Sequence, residues 1–252
     1  MDFFAQQWTT YRTVVDHDLM EHQGLREALS QALAAWFQAR SADAPAPTLV
    51  DLGCGDLAQL GPLLQALPLA GYTGLDLTEA VLPLAAAQLE GAAFPRHWRC
   101  GDLLAWAQGD LADDPNPEPV DLIHSSFAVH HLADADKRAW LEGCRHRIRP
   151  NGLLLWADVF RPAGETLETY LQRYLQRVGE RWLVLSDAQR QLVQRHVGQF
   201  DIPAERGVSK PRPRRPAGTG AGPGRVRTMP KRWRCSHRPE APQQINCARA
   251  GS

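Results

Sequence analysis

The chain has 252 residues, is 44% apolar, and carries 28 basic and 28 acidic residues for a formal net charge of zero. That length and apolar content allow one large domain or one domain with an appendage, and they exclude global disorder. No apolar run approaches the roughly 18 residues that span a bilayer, and the first residues lack the basic and apolar segments of a secretory signal.

In chain order, Leu25, Ala28, Leu29, Ala32, Leu33 and Trp36 recur at helical spacing, and a Pro/Ala/Asp stretch from Ser41 to Pro47 ends that helix. Thr48 to Leu52 reads as a buried strand stopped by a tight turn, Gly53-Cys54-Gly55. Helical spacing resumes at Leu57, Leu60, Leu64 and Leu67. Tyr72 to Leu75 is a second strand ending at Asp76, Glu79 to Leu89 is helical despite Pro83, and His97 to Cys100 is a third strand. A short helix from Leu103 and an acidic, proline-rich loop from Asp110 to Pro119 lead to a fourth strand, Val120 to His124. A helix over Asp134 to Ile148 stops at Arg149-Pro150-Asn151-Gly152, and Leu153 to Val159 is the fifth strand. Beyond it lies an apolar stripe from Leu167 to Val178, followed by a capping box at Ser186 and Gln189 that opens a last helix.

Strands alternating with helices in this way predict an α/β fold, a doubly wound, mostly parallel sheet with helices on both faces. The expected organisation is a helical cap over 1–47, an α/β core over 48–160, a helical substrate-side segment over 161–207 and a basic tail over 208–252.

The zero net charge hides a split. Residues 1–207 hold 17 basic against 27 acidic residues, whereas 208–252 hold 11 basic residues and one acid, Glu240. The first part has 32 leucines and the second none, but seven prolines. No period-2 run is visible there, so no further strand is expected after the fifth, which is left as an unprotected edge. Three readings fit the tail: a disordered arm binding RNA or acidic partners through phosphate contacts, an extension without function, or out-of-frame sequence. The abruptness of the change favours the last.

In a parallel sheet, ligands bind beyond the carboxyl ends of the strands. Three acids stand at three successive strand ends: Asp51 before the glycine turn, Asp76 after the second strand, and Asp102 after the third. A carboxylate about 20 residues beyond a glycine turn is placed to hold a ribose. Asp102 has the competing role of capping the following helix.

These residues resemble the class I S-adenosylmethionine-dependent methyltransferases, from about Leu49 to Val159. Leu49-Val50-Asp51-Leu52-Gly53-Cys54-Gly55 is similar to the family's first motif, Gly74-Leu75-Asp76-Leu77 to the second and Cys100-Gly101-Asp102-Leu103-Leu104 to the third. The segment from Val120 to Leu132 is similar to the fourth, and Arg149 to Leu155 resembles the turn before the fifth strand. The resemblance implies S-adenosyl-L-methionine as cofactor. Asp51, Gly53, Cys54 and Gly55 would surround its methionine part, and Asp76 would hold the ribose. Leu77 would pack on adenine, Asp102 and Leu103 would meet the adenine edge, and Ser125 and Ser126 would lie beside the amino group or the sulfonium. The chain departs from the pattern at Leu57, where a third glycine often stands, and after Gly207, where the resemblance implies a two-strand hairpin beside the fifth strand that is expected to be missing; this too favours out-of-frame sequence.

A dinucleotide site is the rival, because Gly53, Gly55 and Ala58 satisfy the GxGxxG/A spacing. Asp51 and Asp56 would repel its pyrophosphate, whereas a sulfonium tolerates carboxylates. A second alternative is a module that keeps the cofactor pocket without catalysing.

His130 and His131 follow the fourth strand and are the candidates to take a proton from an acceptor. His124 is expected to point into the sheet. Phe3, Phe4, Trp8 and Tyr11 are candidates for an aromatic lid, and Tyr170, Tyr174 and Trp182 for acceptor contacts. Nine histidines without ligand-like spacing and five cysteines without a CxxC pair predict no metal site and no disulfide framework. The expected partner is a small-molecule methyl acceptor. The acidic body does not favour nucleic acid, no membrane is implied, and the compartment expected is the cytoplasm.

Overall fold

The computed structural model describes residues 2–206 and 243–249, with side chains over 8–206. Two helices come first, α1 (Asp2–Asp16) and α2 (His22–Gln38). The core then runs β1 (Thr48–Leu52), α3 (Gly61–Gln65), β2 (Gly71–Asp76), α4 (Leu82–Gln88), β3 (Arg96–Cys100), α5 (Leu103–Gln108), β4 (Val120–Ser126), α6 (Asp134–Arg147) and β5 (Ile148–Arg161). Helices α7 (Leu167–Arg181) and α8 (Asp187–Phe200) follow, with two further strands, β6 (Ala204–Glu205) and β7 (Gln243–Arg249).

The sheet order is β3-β2-β1-β4-β5-β6, with β7 also on β5. All pairs are parallel except β5 with β7. Because strand order reverses between β1 and β4, the crevice for a ligand lies above the carboxyl ends of those two strands.

Alternation along each strand builds two cores. Leu153 and Leu155 face one side with Leu49, Tyr72 and Leu122, packing against Leu29, Leu33 and Trp36 of α2. Leu154 and Trp156 face the other with Val50, Leu52 and Ile123, packing against Trp106 of α5 and Trp140 of α6. A third cluster joins Val14 of α1 to Tyr170, Tyr174 and Val178 of α7 and Val197 of α8. The capping box expected at Ser186 and Gln189 is present: the Ser186 hydroxyl accepts from the Gln189 amide, and the Gln189 side chain accepts from the Ser186 N–H.

Three elements differ from the sequence reading. The helix expected from Leu57 shrinks to Gly61–Gln65, because Leu57 takes a left-handed φ of 56° that no helix accommodates. Pro83 does not interrupt a helix interior. A 3₁₀ turn covers Glu79–Val81 and α4 begins at Leu82, so the proline occupies the first turn, where its missing N–H costs nothing. Strand β5 begins at Ile148, before the expected turn, and the Arg149–Gly152 stretch is absorbed as a register shift against β4, with Asn151 at φ 64°.

The expectation of an unprotected fifth strand is corrected. Residues 243–249 pair antiparallel with Leu153–Val159, and Ala204–Glu205 pairs with Phe160–Arg161. The segment Gln243–Arg249 lacks an apolar alternation, and what recruits it is the open backbone edge of β5. Residues 207–242, where the rest of the tail reading falls, lie outside those described.

Trp140 is fully buried and meets Trp156 edge to face at 5.5 Å between ring centres. Trp140→Ala is expected to lower unfolding free energy by about 3–5 kcal/mol through lost burial and a residual cavity. Urea unfolding checks this, and a loss under 1 kcal/mol would contradict the packing described.

Candidate functional site

Strand register sets the floor of the crevice. Asp51 is opposite Gly74 on β2 and His124 on β4, and the Asp51 carboxylate is fully buried. One of its oxygens meets His124 Nδ1 at 2.7 Å and the other accepts from the Tyr72 hydroxyl at 3.0 Å. His124 is thus buried, as expected, but it is not merely packed: it and Tyr72 lock the end of β1 to β4 and β2. Burial and the nearby Asp51 charge push the Tyr72 hydroxyl well above its ordinary range, so it remains a donor to that carboxylate.

Above this floor the chain turns sharply. Gly53 has φ 77°, and a Cβ there would lie 2.4 Å from the Ala128 Cβ. The Gly53 and Cys54 amides both donate to the Leu75 carbonyl. Asp76 closes the turn from the side, one oxygen accepting from the Gly55 amide at 2.9 Å and the other from the Thr78 amide at 2.8 Å. Each oxygen keeps a second lone pair. Leu77 beside it is 67% exposed at the cavity rim. Asp102 caps α5, one oxygen accepting from the Leu104 and Ala105 amides, both at 2.8 Å. Its other oxygen has no hydrogen bond among the described residues. Leu103 is buried in the same wall. Two non-glycine residues in the wall hold left-handed backbone, Leu57 and Phe127 (φ 52°), each at a cost of about 1–2 kcal/mol.

The crevice is a cavity of about 560 Å³, within the usual range for small-molecule sites. It brings together Asp51, Gly53, Cys54, Gly55, Asp76, Leu77, Asp102, Leu103 and Ser126, as well as His130 and His131. Ser125 does not join them. Side chains alternate along β4, so His124 and Ser126 reach the cavity while Ser125 is buried on the other face, donating to the Leu52 carbonyl at 2.7 Å. Burial drives the Cys54 thiol pKa far up, with Asp51 and Asp76 adding to the effect, which leaves a neutral packing group. Trp8 and Tyr11 line the cavity, as do Tyr174 and Trp182. The side chains of Phe3 and Phe4 lie outside those described. Arg12 reaches Asp56 at 3.3 Å and joins α1 to the turn.

At the far end the short turn after β4 carries the histidine pair. His130 Nδ1 lies 2.5 Å from one Asp158 oxygen, and its backbone N–H donates to the other at 3.0 Å. The second oxygen also accepts from Trp156 Nε1 at 3.0 Å. Burial opposes a charge on His130, but Asp158 more than offsets it, so the His130 pKa is raised. Burial likewise opposes the Asp158 charge, and His130 more than offsets that, holding the carboxyl below its ordinary range. His131 goes the other way: burial, then the neighbouring His130, lowers it to about 4. Asp201, just after α8, is raised to about 6 by burial. His131 and His196 rings meet edge to face at 5.4 Å. The roles of His196 and Asp201 could not be read from the sequence because they come from α8 and its C-terminal end, far from the His-His pair, and Asp158 lies on β5. Only the acid ending the fifth strand offered a signal.

Residues 50–154 match the family model described as a methyltransferase domain. Trans-aconitate 2-methyltransferase of Deinococcus radiodurans is 32% identical over 121 residues, covering 47% of this chain and 40% of that one. An uncharacterised methyltransferase of Geobacillus kaustophilus is 41% identical over 51 residues, 20% of this chain and 24% of that one. The chain therefore spans less than half the length of these curated relatives. Among solved structures, the plantazolicin methyltransferase BpumL, in complex with SAH, aligns with a TM-score of 0.48 and 14% identity over 73% of this chain and 61% of that one. Residues 50–154 are thus similar to a methyltransferase domain, in the same stretch whose motifs resemble the class I S-adenosylmethionine-dependent methyltransferases.

Gly53→Ala is expected to cost at least about 1–2 kcal/mol from the left-handed backbone alone, and more from the Ala128 contact. Adding Ala128→Gly should recover only the contact part. Urea unfolding of the two variants checks this; a fully restored double variant would mean that the backbone angle carries no penalty.

Proposed function

We propose that the chain transfers the methyl group of S-adenosyl-L-methionine to a small-molecule acceptor bound at the histidine end of the cavity. The cofactor supplies a methyl group already activated on a sulfonium, so the residues around it have to bind, orient and desolvate rather than activate. The single observation that carries this reading is the set of carboxylates lining one cavity with the glycine turn: Asp51, Asp56, Asp76 and Asp102. A cation fits there and a pyrophosphate does not.

The residues present suit that cofactor. The free lone pairs of Asp76 would accept both ribose hydroxyls while its existing bonds hold the turn in place. The spare oxygen of Asp102 would accept from the adenine amino group, and exposed Leu77 would cover the ring. Buried Asp51, with Gly53 to Gly55, would border the methionine part, with Ser126 on its other side. The rival dinucleotide reading loses a further support. Its pyrophosphate needs a helix N-terminus at the glycine turn, but α3 starts only at Gly61 and is five residues long.

The acceptor half is walled by Tyr174, Trp182, His130, His131 and His196. Aromatic rings there exclude water, and the two histidines of the turn are the groups placed to take a proton from an acceptor that carries one. The helical segment after β5 would select the acceptor. Among the described residues, no helix is long and apolar enough to cross a membrane.

Calorimetry on the full chain tests the reading. S-adenosylhomocysteine is expected to bind, and Asp76→Ala to weaken it about 10–100-fold, the equivalent of one or two hydrogen bonds to a charged group. Tighter binding of NAD than of S-adenosylhomocysteine would overturn it.

A further inference from the structure

The histidine end of the cavity holds more than a proton acceptor requires. Three imidazole nitrogens, two from the adjacent residues of the turn after β4 and one from α8, converge on one carboxylate oxygen, Asp201 Oδ1: His130 Nε2 at 3.6 Å, His131 Nδ1 at 3.6 Å and His196 Nε2 at 3.9 Å. That oxygen is buried and has no hydrogen-bond partner among the described residues, and the Asp201 side chain is only 10% exposed. A buried anionic oxygen without a hydrogen bond is costly unless a cation completes its surroundings.

We propose that His130, His131 and Asp201, with His196 at the rim, bind one divalent transition-metal ion of the zinc type. Four ligands about 2.0–2.1 Å from a tetrahedral ion lie about 3.3 Å from one another. The donor atoms of His130, His131 and Asp201 all lie within 4.8 Å of one another, with both histidines 3.6 Å from Asp201; side-chain rotation would have to supply the contraction, and more of it for His196 at 3.9 Å. The donor set is imidazole and carboxylate without thiolate, which suits zinc, cobalt, nickel or iron(II). Magnesium and calcium prefer all-oxygen surroundings.

The support behind the ligands is also of the kind metal sites need. Asp158 grips His130 Nδ1 and is itself fixed by the His130 amide and Trp156 Nε1. With Nδ1 so committed, Nε2 is the nitrogen aimed at Asp201, where an ion takes the place of its proton. Carboxylate–histidine–metal relays of this form orient ligands and raise their basicity. His131 Nδ1 lies 3.4 Å from the Phe200 carbonyl, at the far limit of hydrogen bonding. A proton on its Nε2 instead frees Nδ1 for the ion. His196 is the outermost donor, 47% exposed on its side chain. All four groups line the cavity that the glycine turn enters; with an ion bound, His130 and His131 are its ligands and not proton acceptors, so metal ligation replaces that role in the proposed reaction. The competing account is a hydrogen-bonded imidazolium–carboxylate cluster with no ion.

The test uses the full chain, stripped with a chelator and titrated with cobalt(II) followed by visible absorption and with zinc by calorimetry. We expect one equivalent per chain and the intense visible bands of a low-coordinate cobalt site. Asp158→Asn should weaken binding 10–100-fold without removing a ligand. His131→Ala/His196→Gln alters two partly exposed positions and, in a sample whose circular dichroism is native, should abolish the cobalt bands. Zinc affinity equal in wild type and the double variant, or a stripped chain with native circular dichroism that binds no cobalt, would overturn the proposal. S-adenosylhomocysteine binding to the same samples relies on other residues, so loss of this site and failure of the methyltransferase reading give different results.

Discussion

The arrangement at the strand tips depends on one buried carboxylate. Asp51 sits at zero exposure near the end of β1, and a carboxyl group is tolerated in that position only because both oxygens are engaged. Tyr72 from β2 and His124 from β4 supply those bonds, so the same contacts that satisfy the carboxyl group also fix three adjacent strand ends at one height. The glycine turn rises from this platform, and the positions of Asp76, Ser126 and the histidine turn are set relative to it. Removing any of the three groups would leave a buried polar atom unsatisfied as well as a strand end untethered.

Carboxylates in the crevice differ in what they have left to offer. Asp51 is spent on neighbours, Asp56 is shared with Arg12, and Asp76 and Asp102 each serve the backbone while keeping acceptor capacity toward the cavity. This division matters electrostatically. Four acids around a shared space favour a cationic occupant and repel phosphate, and the low local dielectric sharpens that preference. The strained backbone at Leu57 and Phe127 lies in the same wall, where local cost is sustained by the buried packing of Leu57 and by the Phe127 amide bonded to the Ala157 carbonyl.

Much of this was legible from residue patterns, for identifiable reasons. Strand ends marked by acids, the Gly53–Gly55 turn and the Ser186–Gln189 capping box are local codes, in which a few neighbouring residues dictate the backbone they adopt. Asp102 carried two local codes at once, and the structure has it capping α5 with one oxygen. What escaped was non-local or backbone-driven. The seven polar-rich residues of β7 become a strand through pairing with an exposed edge, which leaves no periodicity to detect. The face taken by Ser125 depends on the register of β4. The His130–His131–His196–Asp201 grouping joins a turn to a helix some 65 residues away, so no ligand spacing announces it.

The central physical idea is that a positively charged sulfur nucleoside spans the carboxyl ends of β1, β2 and β3 with its ribose on Asp76. Crystals of the full chain soaked with S-adenosyl-L-methionine address this directly. The account predicts density above the glycine turn, ribose oxygens within hydrogen-bond distance of Asp76, and the adenine amino group at the spare oxygen of Asp102. A nucleoside bound elsewhere, or an empty crevice at saturating concentration, would contradict it.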